Sequence, residues 1–238
     1  MIERKMTRGF ACFLAVIMAA AVGGGEVAAE TFIYDLKDGH IELEEDAGGR
    51  TLAVSFFGAD GKLVNIPEGY AREVRTYDDA LGTETTRYYG ADGSPATREG
   101  VHRFEDVRDE QDRLVSSARL GIDGEPCTDS YGVYKWLWAY DDVKCVKTES
   151  TYSVDGKPVA VAGVAKTVTE APDWGLPASK TFFGVNDEPA ADRYGVHRYE
   201  YIYADNLEPS STLYYDVNGE LIPPASVPDA ARESAIPY

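Results

Sequence analysis

The 238-residue chain is poor in the residues that usually bind metals or attack substrates, with only three cysteines and three histidines. His40, His102 and His197 are far apart in sequence and do not form, with the cysteines, the spacing of a zinc site. The chain also lacks a Gly-x-Ser-x-Gly elbow and a Gly-Lys-Ser/Thr phosphate loop. We therefore expect no metal ion, no cofactor and no catalytic residue, and a protein that is not an enzyme.

Basic residues are also scarce, because 23 Lys and Arg face 41 Asp and Glu, and the formal net charge is −18. A strongly acidic protein repels phosphate backbones and anionic lipid headgroups. The charge therefore argues against nucleic acid as a partner. Its simplest interpretation is a solvated, soluble surface.

The only long apolar run lies near the start, from Phe10 to Val22, after three basic residues and before the small residues Val27 to Ala29. This order is typical of a secretory signal peptide. The run is too short to cross a bilayer, which requires roughly 20 residues. We predict a signal peptide over 1–29, a periplasmic or secreted mature protein, and no membrane insertion after cleavage.

Two cysteines, Cys127 and Cys145, remain after such cleavage. Exported proteins keep disulfides, and these two residues lack the Cys-x-x-Cys spacing of a redox-active pair. We therefore predict a structural disulfide between them, which would stabilise the fold by about 3 kcal/mol in the chain-entropy model.

The dominant feature of the sequence is an internal repeat of 31 or 32 residues. An aromatic residue or Leu is followed, three and four positions later, by Asp-Gly or Asn-Gly, with one Asn-Asp variant. These units start at Phe57, Tyr89, Leu120, Tyr152, Phe183 and Tyr215. A second landmark keeps the same spacing, a glycine followed by Val or Tyr, at Gly69, Gly100, Gly132, Gly163 and Gly195. Two landmarks that recur with the same spacing indicate a tandem array of repeats.

Within each unit the residues alternate as in β-strands. Trp136-Leu-Trp138-Ala-Tyr140 and Tyr199-Glu-Tyr201-Ile-Tyr203 place aromatic residues on one face with period two. Thr-, Val- and Tyr-rich stretches precede each Asp-Gly, which is a tight-turn signal. We predict an all-β fold of β-hairpins stacked into an elongated twisted sheet or solenoid, with a closed, propeller-like arrangement as the alternative.

This pattern also predicts the domain organisation. After the signal peptide, residues 30–56 are strand-like but do not fit the repeat, and we interpret them as an N-terminal β cap. Residues 57–222 hold about five hairpin repeats. Residues 223–238 form a proline-containing tail.

The string Glu68-Gly-Tyr-Ala-Arg-Glu-Val-Arg-Thr-Tyr-Asp-Asp79, followed by Arg87-Tyr-Tyr-Gly-Ala-Asp-Gly-Ser-Pro95, resembles tandem repeats of bacterial extracytoplasmic proteins. It is similar in style to the tyrosine-aspartate repeats of Rhs-type proteins and to WG and MORN repeats. The resemblance covers about residues 56–222. It implies β-hairpin architecture with a scaffolding or binding role, and it defines no catalytic residue.

The aromatic stripes are the candidate binding residues, because exposed aromatic rings on a sheet stack on sugar rings or on partner side chains. They comprise Tyr134, Trp136, Trp138, Tyr140, Tyr199, Tyr201 and Tyr203. The competing interpretation is that these residues form the core face of their strands.

Three functional hypotheses follow from these observations. The first is an exported interaction module for a protein or a cell-envelope glycan. The second is a structural spacer. The third, an envelope hydrolase, would need a pair of carboxylates that the sequence does not single out. Calcium between stacked repeats stays open, although each Gly-Ala-Asp-Gly turn offers only one carboxylate.

Overall fold

The computed structural model describes residues 29–172, 175–207 and 209–228. The predicted signal peptide, apart from its last residue, lies outside these residues, as do the last ten residues of the predicted tail. The strands are β1 (Glu30–Leu36), β2 (Gly39–Glu45), β3 (Thr51–Gly58), β4 (Arg72–Asp78), β5 (Thr83–Tyr89), β6 (Arg103–Arg108), β7 (Leu114–Leu120), β8 (Lys135–Asp141), β9 (Val146–Tyr152), β10 (Lys166–Glu170), β11 (Ser179–Phe183), β12 (Arg198–Tyr203), β13 (Pro209–Tyr215) and β14 (Leu221–Ile222). A single 3-10 turn follows at Pro224–Ser226.

The strands form one antiparallel sheet whose order is the order of the sequence, from β1 to β14. The sheet is open, because among the described residues β1 pairs only with β2, and β14 pairs only with β13. The predicted all-β hairpin fold is therefore confirmed, and the closed arrangement does not form. The described residues contain no helix long and apolar enough to cross a membrane.

Each repeat folds as the alternation predicts, and the third is representative. β8 and β9 pair in register over seven residues, from Lys135 opposite Tyr152 to Asp141 opposite Val146. The turn between them is closed by the Asp141 carboxylate, which accepts a hydrogen bond from the Lys144 amide at 3.0 Å. Aromatic and β-branched residues dominate both strands, and these are the side chains that pack best on a pleated sheet.

After the tight turn that ends each repeat, the chain reverses direction and pairs briefly with the end of the strand that precedes the turn. After the turn at Asp92 and Gly93, the Ala96 amide donates to the Tyr88 carbonyl at 2.9 Å. Pro95 itself makes a single bridge with Tyr89. The proline shortens the pairing to this one bridge, because it lacks the N–H needed to continue a ladder.

The landmark glycines turn the chain into the next hairpin, and in four of the five units the residue that follows them is buried. Gly132 and Gly195 both have a φ of +81°, which a residue with a side chain rarely adopts. The next residues, Val133 and Val196, are completely buried. The Asp192 carboxylate holds this loop by accepting the Val196 amide at 3.1 Å. The glycine landmark therefore marks the position just before a buried apolar residue, such as Val133 or Val196.

The chain divides into two compact units. The first comprises the residues through Thr76 together with Thr86–Arg98. Its buried centre includes Tyr70 and Tyr88, whose ring centroids lie 4.6 Å apart. The Arg72 guanidinium is bonded to the Glu44 carboxylate at 3.1 Å.

The second unit comprises Tyr77–Thr85 and the residues from Glu99 onward. Its main core cluster lies near the C-terminal end of the unit. The cluster consists of Phe182, Val196, Tyr199, Tyr214 and Val227.

The predicted disulfide does not form, because Cys127 and Cys145 are both free. The Cys127 amide bonds to the Arg119 carbonyl, which places this residue beside the first residues of β8, since Ala118 pairs with Lys135. Cys145 lies in the turn beyond the other end of β8. A seven-residue strand is about 20 Å long, whereas disulfide-linked Cα atoms lie within about 7 Å. The strand between the two cysteines keeps them apart.

Candidate binding site

The predicted aromatic residues of β8 and β12 lie on the same side of the sheet. Directly opposite residues in neighbouring antiparallel strands point to one face. Trp138 is opposite Glu149, Glu149 is opposite Thr167, and Thr167 is opposite Phe182. Lys180 lies two residues before Phe182 on β11, hence on the same face, and it is opposite Tyr199 of β12. We call this side the aromatic face.

The tyrosines of β12 are structural. Tyr199 is only 3% exposed and packs edge-on against Phe182 and Tyr214, with ring centroids 5.8 and 5.5 Å away. Its hydroxyl donates to the Asp192 carboxylate, and burial, reinforced by that carboxylate, raises its pKa. Burial also raises the pKa of Tyr201 to about 12. The Tyr203 hydroxyl donates to the Pro177 carbonyl at 2.8 Å.

Two other aromatic residues of the third repeat, Tyr140 and Tyr134, also make hydrogen bonds within the fold. The Tyr140 hydroxyl donates to the Leu114 carbonyl at 3.0 Å, and the Arg113 guanidinium lies 4.3 Å from the centre of the Tyr140 ring. Tyr134 precedes β8, and its amide donates to the Tyr152 carbonyl at 2.8 Å. Neither residue lines the groove described below.

Of the predicted aromatic residues only Tyr199 is buried. Tyr134, Tyr140, Tyr201 and Tyr203 remain partly exposed, and so do the two tryptophans of β8. Their rings are nearly parallel, with centroids 6.2 Å apart and an interplanar angle of 16°. The Trp138 Nε1 atom donates to the Glu149 carboxylate at 2.8 Å. The Trp136 Nε1 atom is buried and has no hydrogen-bond partner among the described residues. A buried donor without a partner is uncommon in folded proteins.

An open groove of about 190 Å³ lies beside Trp136 on the aromatic face. It is lined by Trp136, Glu149, Thr151, Val161, Val164, Ala165, Thr167 and Phe182. The Thr151 hydroxyl is already used, because it donates to the Val159 carbonyl at 2.6 Å. The Glu149 carboxylate and the Thr167 hydroxyl are the other side-chain hydrogen-bonding groups of the lining. The groove is therefore mostly apolar with a few polar groups, as small-molecule sites usually are.

The groove exists because β10, the first strand of the fourth repeat, has no aromatic residue. The position four residues after the landmark glycine carries Phe104, Trp136 and Tyr199 in the second, third and fifth units, but Glu73 in the first and Thr167 in the fourth. β10 nevertheless pairs regularly with β9 and β11 over five residues. A small side chain in a regular strand leaves empty the space that a ring occupies in other repeats. The loss of aromatics was visible in the sequence, but its consequence was not.

Two lysines lie on the aromatic face just outside the groove. Each is two residues along its strand from a residue that lines the groove, Glu149 or Phe182. Thr169 of β10 is opposite Lys147 on one side and Lys180 on the other. The Lys180 Nζ atom lies 5.6 Å from the centre of the Phe182 ring, which forms one groove wall. The Lys147 Nζ atom lies 4.0 Å from a Glu149 carboxylate oxygen. Both ammonium groups are thus next to residues that line the groove.

A second cavity, of about 490 Å³, lies on the opposite side of β9 and β10. Its lining includes Ser150, Tyr152, Lys166 and Asp187. The Lys166 ammonium group pairs with Asp187 and lies 4.7 Å from the centre of the Phe183 ring. Its charged groups therefore already neutralise each other, and the cavity is a weaker candidate than the groove.

The histidines occupy structural positions in the repeat. His102 is buried, and His197 is bonded through Nδ1 to the Ala190 carbonyl at 2.8 Å. Within residues 29–172, 175–207 and 209–228, no group of three or more His, Cys, Asp or Glu side chains could hold a metal ion.

Comparison with known proteins adds no assignment, since no protein-family model matches the chain and no curated protein is detectably similar in sequence. The resemblance to tyrosine-aspartate, WG and MORN repeats remains a prediction. The groove and its surroundings are therefore the features from which a function is inferred.

Proposed function

We propose that this protein is a non-enzymatic, exported repeat protein that binds a cell-envelope glycan through the groove beside Trp136. The observation that carries the proposal is the partly exposed Trp136–Trp138 pair next to a ring-sized groove with a carboxylate. Export rests on the signal-like pattern of residues 1–29, and the mature protein would be periplasmic or secreted.

The chemistry of the groove suits a sugar ring. The apolar C–H face of a sugar packs against an aromatic ring, and its hydroxyls need hydrogen-bond partners. Trp136 and Phe182 supply the aromatic surface, whereas Glu149 and Thr167 supply polar groups. Drug-sized ligands occupy pockets of about 300–1,000 Å³. A groove of about 190 Å³ therefore suits one ring of a longer chain that continues along the sheet.

A binding role is favoured over hydrolysis because, among the described residues, Glu149 is the single carboxylate that lines the groove. Most glycosidases use two carboxyl groups, about 5–9.5 Å apart, one on each side of the bond they cleave. A spacer role has no use for a groove or for partly exposed indole rings.

The proposal is tested by titrating the purified protein with a panel of envelope glycans and oligosaccharides while following tryptophan fluorescence and thermal stability. A ligand that binds only the folded state raises the melting temperature. We expect at least one glycan to do so. Trp136→Ala should weaken its binding at least tenfold, since aromatic anchors in binding sites contribute about 2 kcal/mol or more.

Two further variants make this test specific to the groove. Thr167→Tyr restores the ring found in other repeats and should block binding while the protein stays folded. Tyr131→Ala is the matched control, because Tyr131 is an exposed aromatic residue of the same repeat outside the groove. Unchanged affinity in Trp136→Ala, or a panel without any ligand, would overturn the glycan site and leave a protein partner or a spacer role.

A further inference from the structure

We propose that the groove selects an acidic saccharide, with the sugar ring against Trp136 and the anionic substituent held by Lys147 and Lys180. This inference rests on the proposed glycan site and adds the charge of its ligand. Its basis is the arrangement of the two lysines on either side of Thr169 in neighbouring strands.

The two ammonium groups are weakly neutralised compared with those of Lys144 and Lys157. Lys157 and Lys144 have carboxylate oxygens at 2.6 and 3.1 Å. Lys147 has its carboxylate oxygen only at 4.0 Å. Lys180 makes no ion pair with any residue that the structure describes, although the chain has a net charge of −18. Two such lysines, flanking the same threonine, provide a local positive charge.

The groove and the two lysines beside it together provide more donors than acceptors for a polar ligand. Lys147 and Lys180 carry three N–H donors each and no acceptor. One Glu149 oxygen already accepts a hydrogen bond from Trp138. The Trp136 Nε1 atom is a further donor without a partner among the described residues. A carboxylate on a sugar ring is acceptor-only and complements this set, whereas a neutral sugar leaves both ammonium groups unused.

The negative charge of the whole protein does not oppose this contact. Charges further apart than a Debye length, about 8 Å at physiological ionic strength, are largely screened. Lysines that touch the ligand act within that distance. A sugar acid that contacts both ammonium groups is therefore attracted locally, although a densely charged polymer such as nucleic acid would still meet the acidic surface around the site.

The test compares oligomers of glucuronic, galacturonic and mannuronic acid with their methyl esters, which keep the ring and remove the charge. Calorimetric titration of the purified protein should give at least tenfold tighter binding of one acid than of its ester. The double variant Lys147→Gln/Lys180→Gln should lose this preference and still bind the ester. The control Lys144→Gln/Lys157→Gln changes the net charge equally, outside the groove, and should keep the preference.

Each outcome separates this inference from the function it rests on. Equal binding of acid and ester, or loss of the preference in the control variant, would overturn the acidic ligand and leave the glycan site intact. Binding of neutral glycans alone would do the same. If no saccharide, neutral or acidic, binds in a Trp136-dependent manner, both proposals fail.

Discussion

The strands β8 and β12 carry the same alternating aromatic pattern in the same sheet, yet the structure uses them differently. Tyr199 of β12 lies between Phe182 and Tyr214 and is buried. Trp136 of β8 is opposite Thr151, and it remains partly exposed beside a groove. The strands on either side of β12, which are β11 and β13, place aromatic rings against Tyr199. The strands that follow β8 in the sheet, β9 and β10, place threonines and a carboxylate near Trp136.

This comparison shows that an aromatic stripe acquires its role from its neighbours. A ring packed among rings contributes to the core, because apolar burial and edge-to-face contacts add together. The same kind of ring near Thr167 stays partly exposed beside a groove. In a repeat protein, one strand with small residues can therefore open a groove without changing the fold.

The largest expected difference in stability between β8 and β12 comes from removing one aromatic ring from each strand. Tyr199→Ala should destabilise the protein by about 3–5 kcal/mol, as large-to-small core substitutions with an aromatic residue do. Trp136→Ala should cost less than about 2 kcal/mol, since a partly exposed side chain buries less apolar area. Urea unfolding followed by circular dichroism measures both. Equal losses would mean that β8 belongs to the core as much as β12 does.

A smaller change keeps the ring and removes only its hydroxyl. Tyr199→Phe should cost about 1.5–3 kcal/mol, because the lost hydrogen bond is made to the charged Asp192. Tyr203→Phe is the control, since its hydroxyl donates to the neutral Pro177 carbonyl and should contribute about 0.5–1.5 kcal/mol. The same unfolding measurement separates them, and a neutral Tyr199→Phe would contradict the structural role of the Asp192 contact.

The tyrosines of β12 also predict an alkaline limit of stability. Burial, followed by the neighbouring Tyr203 and Tyr214, raises the pKa of Tyr201 to about 12 from its ordinary value of 10.0. The folded state therefore holds this proton more tightly, and its contribution is complete below pH 10. It is lost as the pH rises from 10 through about 12.

Unfolding midpoints between pH 9 and pH 12 check this expectation. Tyr201→Phe should make the decline shallower, because it removes one of the titrating hydroxyls. Tyr131→Phe, at an exposed position, should leave the decline as it is in the unmodified protein. The opposite ranking of the two variants would be incompatible with the burial of Tyr201.

The sequence was sufficient for the repeat fold because its signals are local. Alternation in Trp136–Tyr140 and the tight turn at Asp155-Gly156 each depend on a few neighbouring residues. It failed for Cys127 and Cys145, since their separation depends on which end of β8 each one reaches. A compartment argument says only that a disulfide would persist, and not that the two thiols can meet.

The site was only half predictable for a similar reason. The aromatic stripes were identified, but the tyrosines and the tryptophans could not be told apart. The difference comes from Phe182 and Thr167, which lie on other strands and become neighbours only through the register. Comparing the same position across repeats shows two places without a ring, Glu73 and Thr167, and does not say which of them lies beside a tryptophan.

The smallest expected effect on stability comes from making the surroundings of β8 resemble those of β12. Thr167→Tyr places a ring opposite Phe182 and Glu149, in a groove of about 190 Å³ that has room for it. Because the space is open, the usual overpacking penalty of about 1–3 kcal/mol should be absent, and stability should change by less than about 1 kcal/mol. Acrylamide quenching of tryptophan fluorescence should fall, since the new ring covers Trp136. Trp136→Phe in the same background identifies the part of the signal that comes from this residue. If quenching is unchanged, Thr167 does not limit access to Trp136, and the difference between the two strands must come from the loops above them.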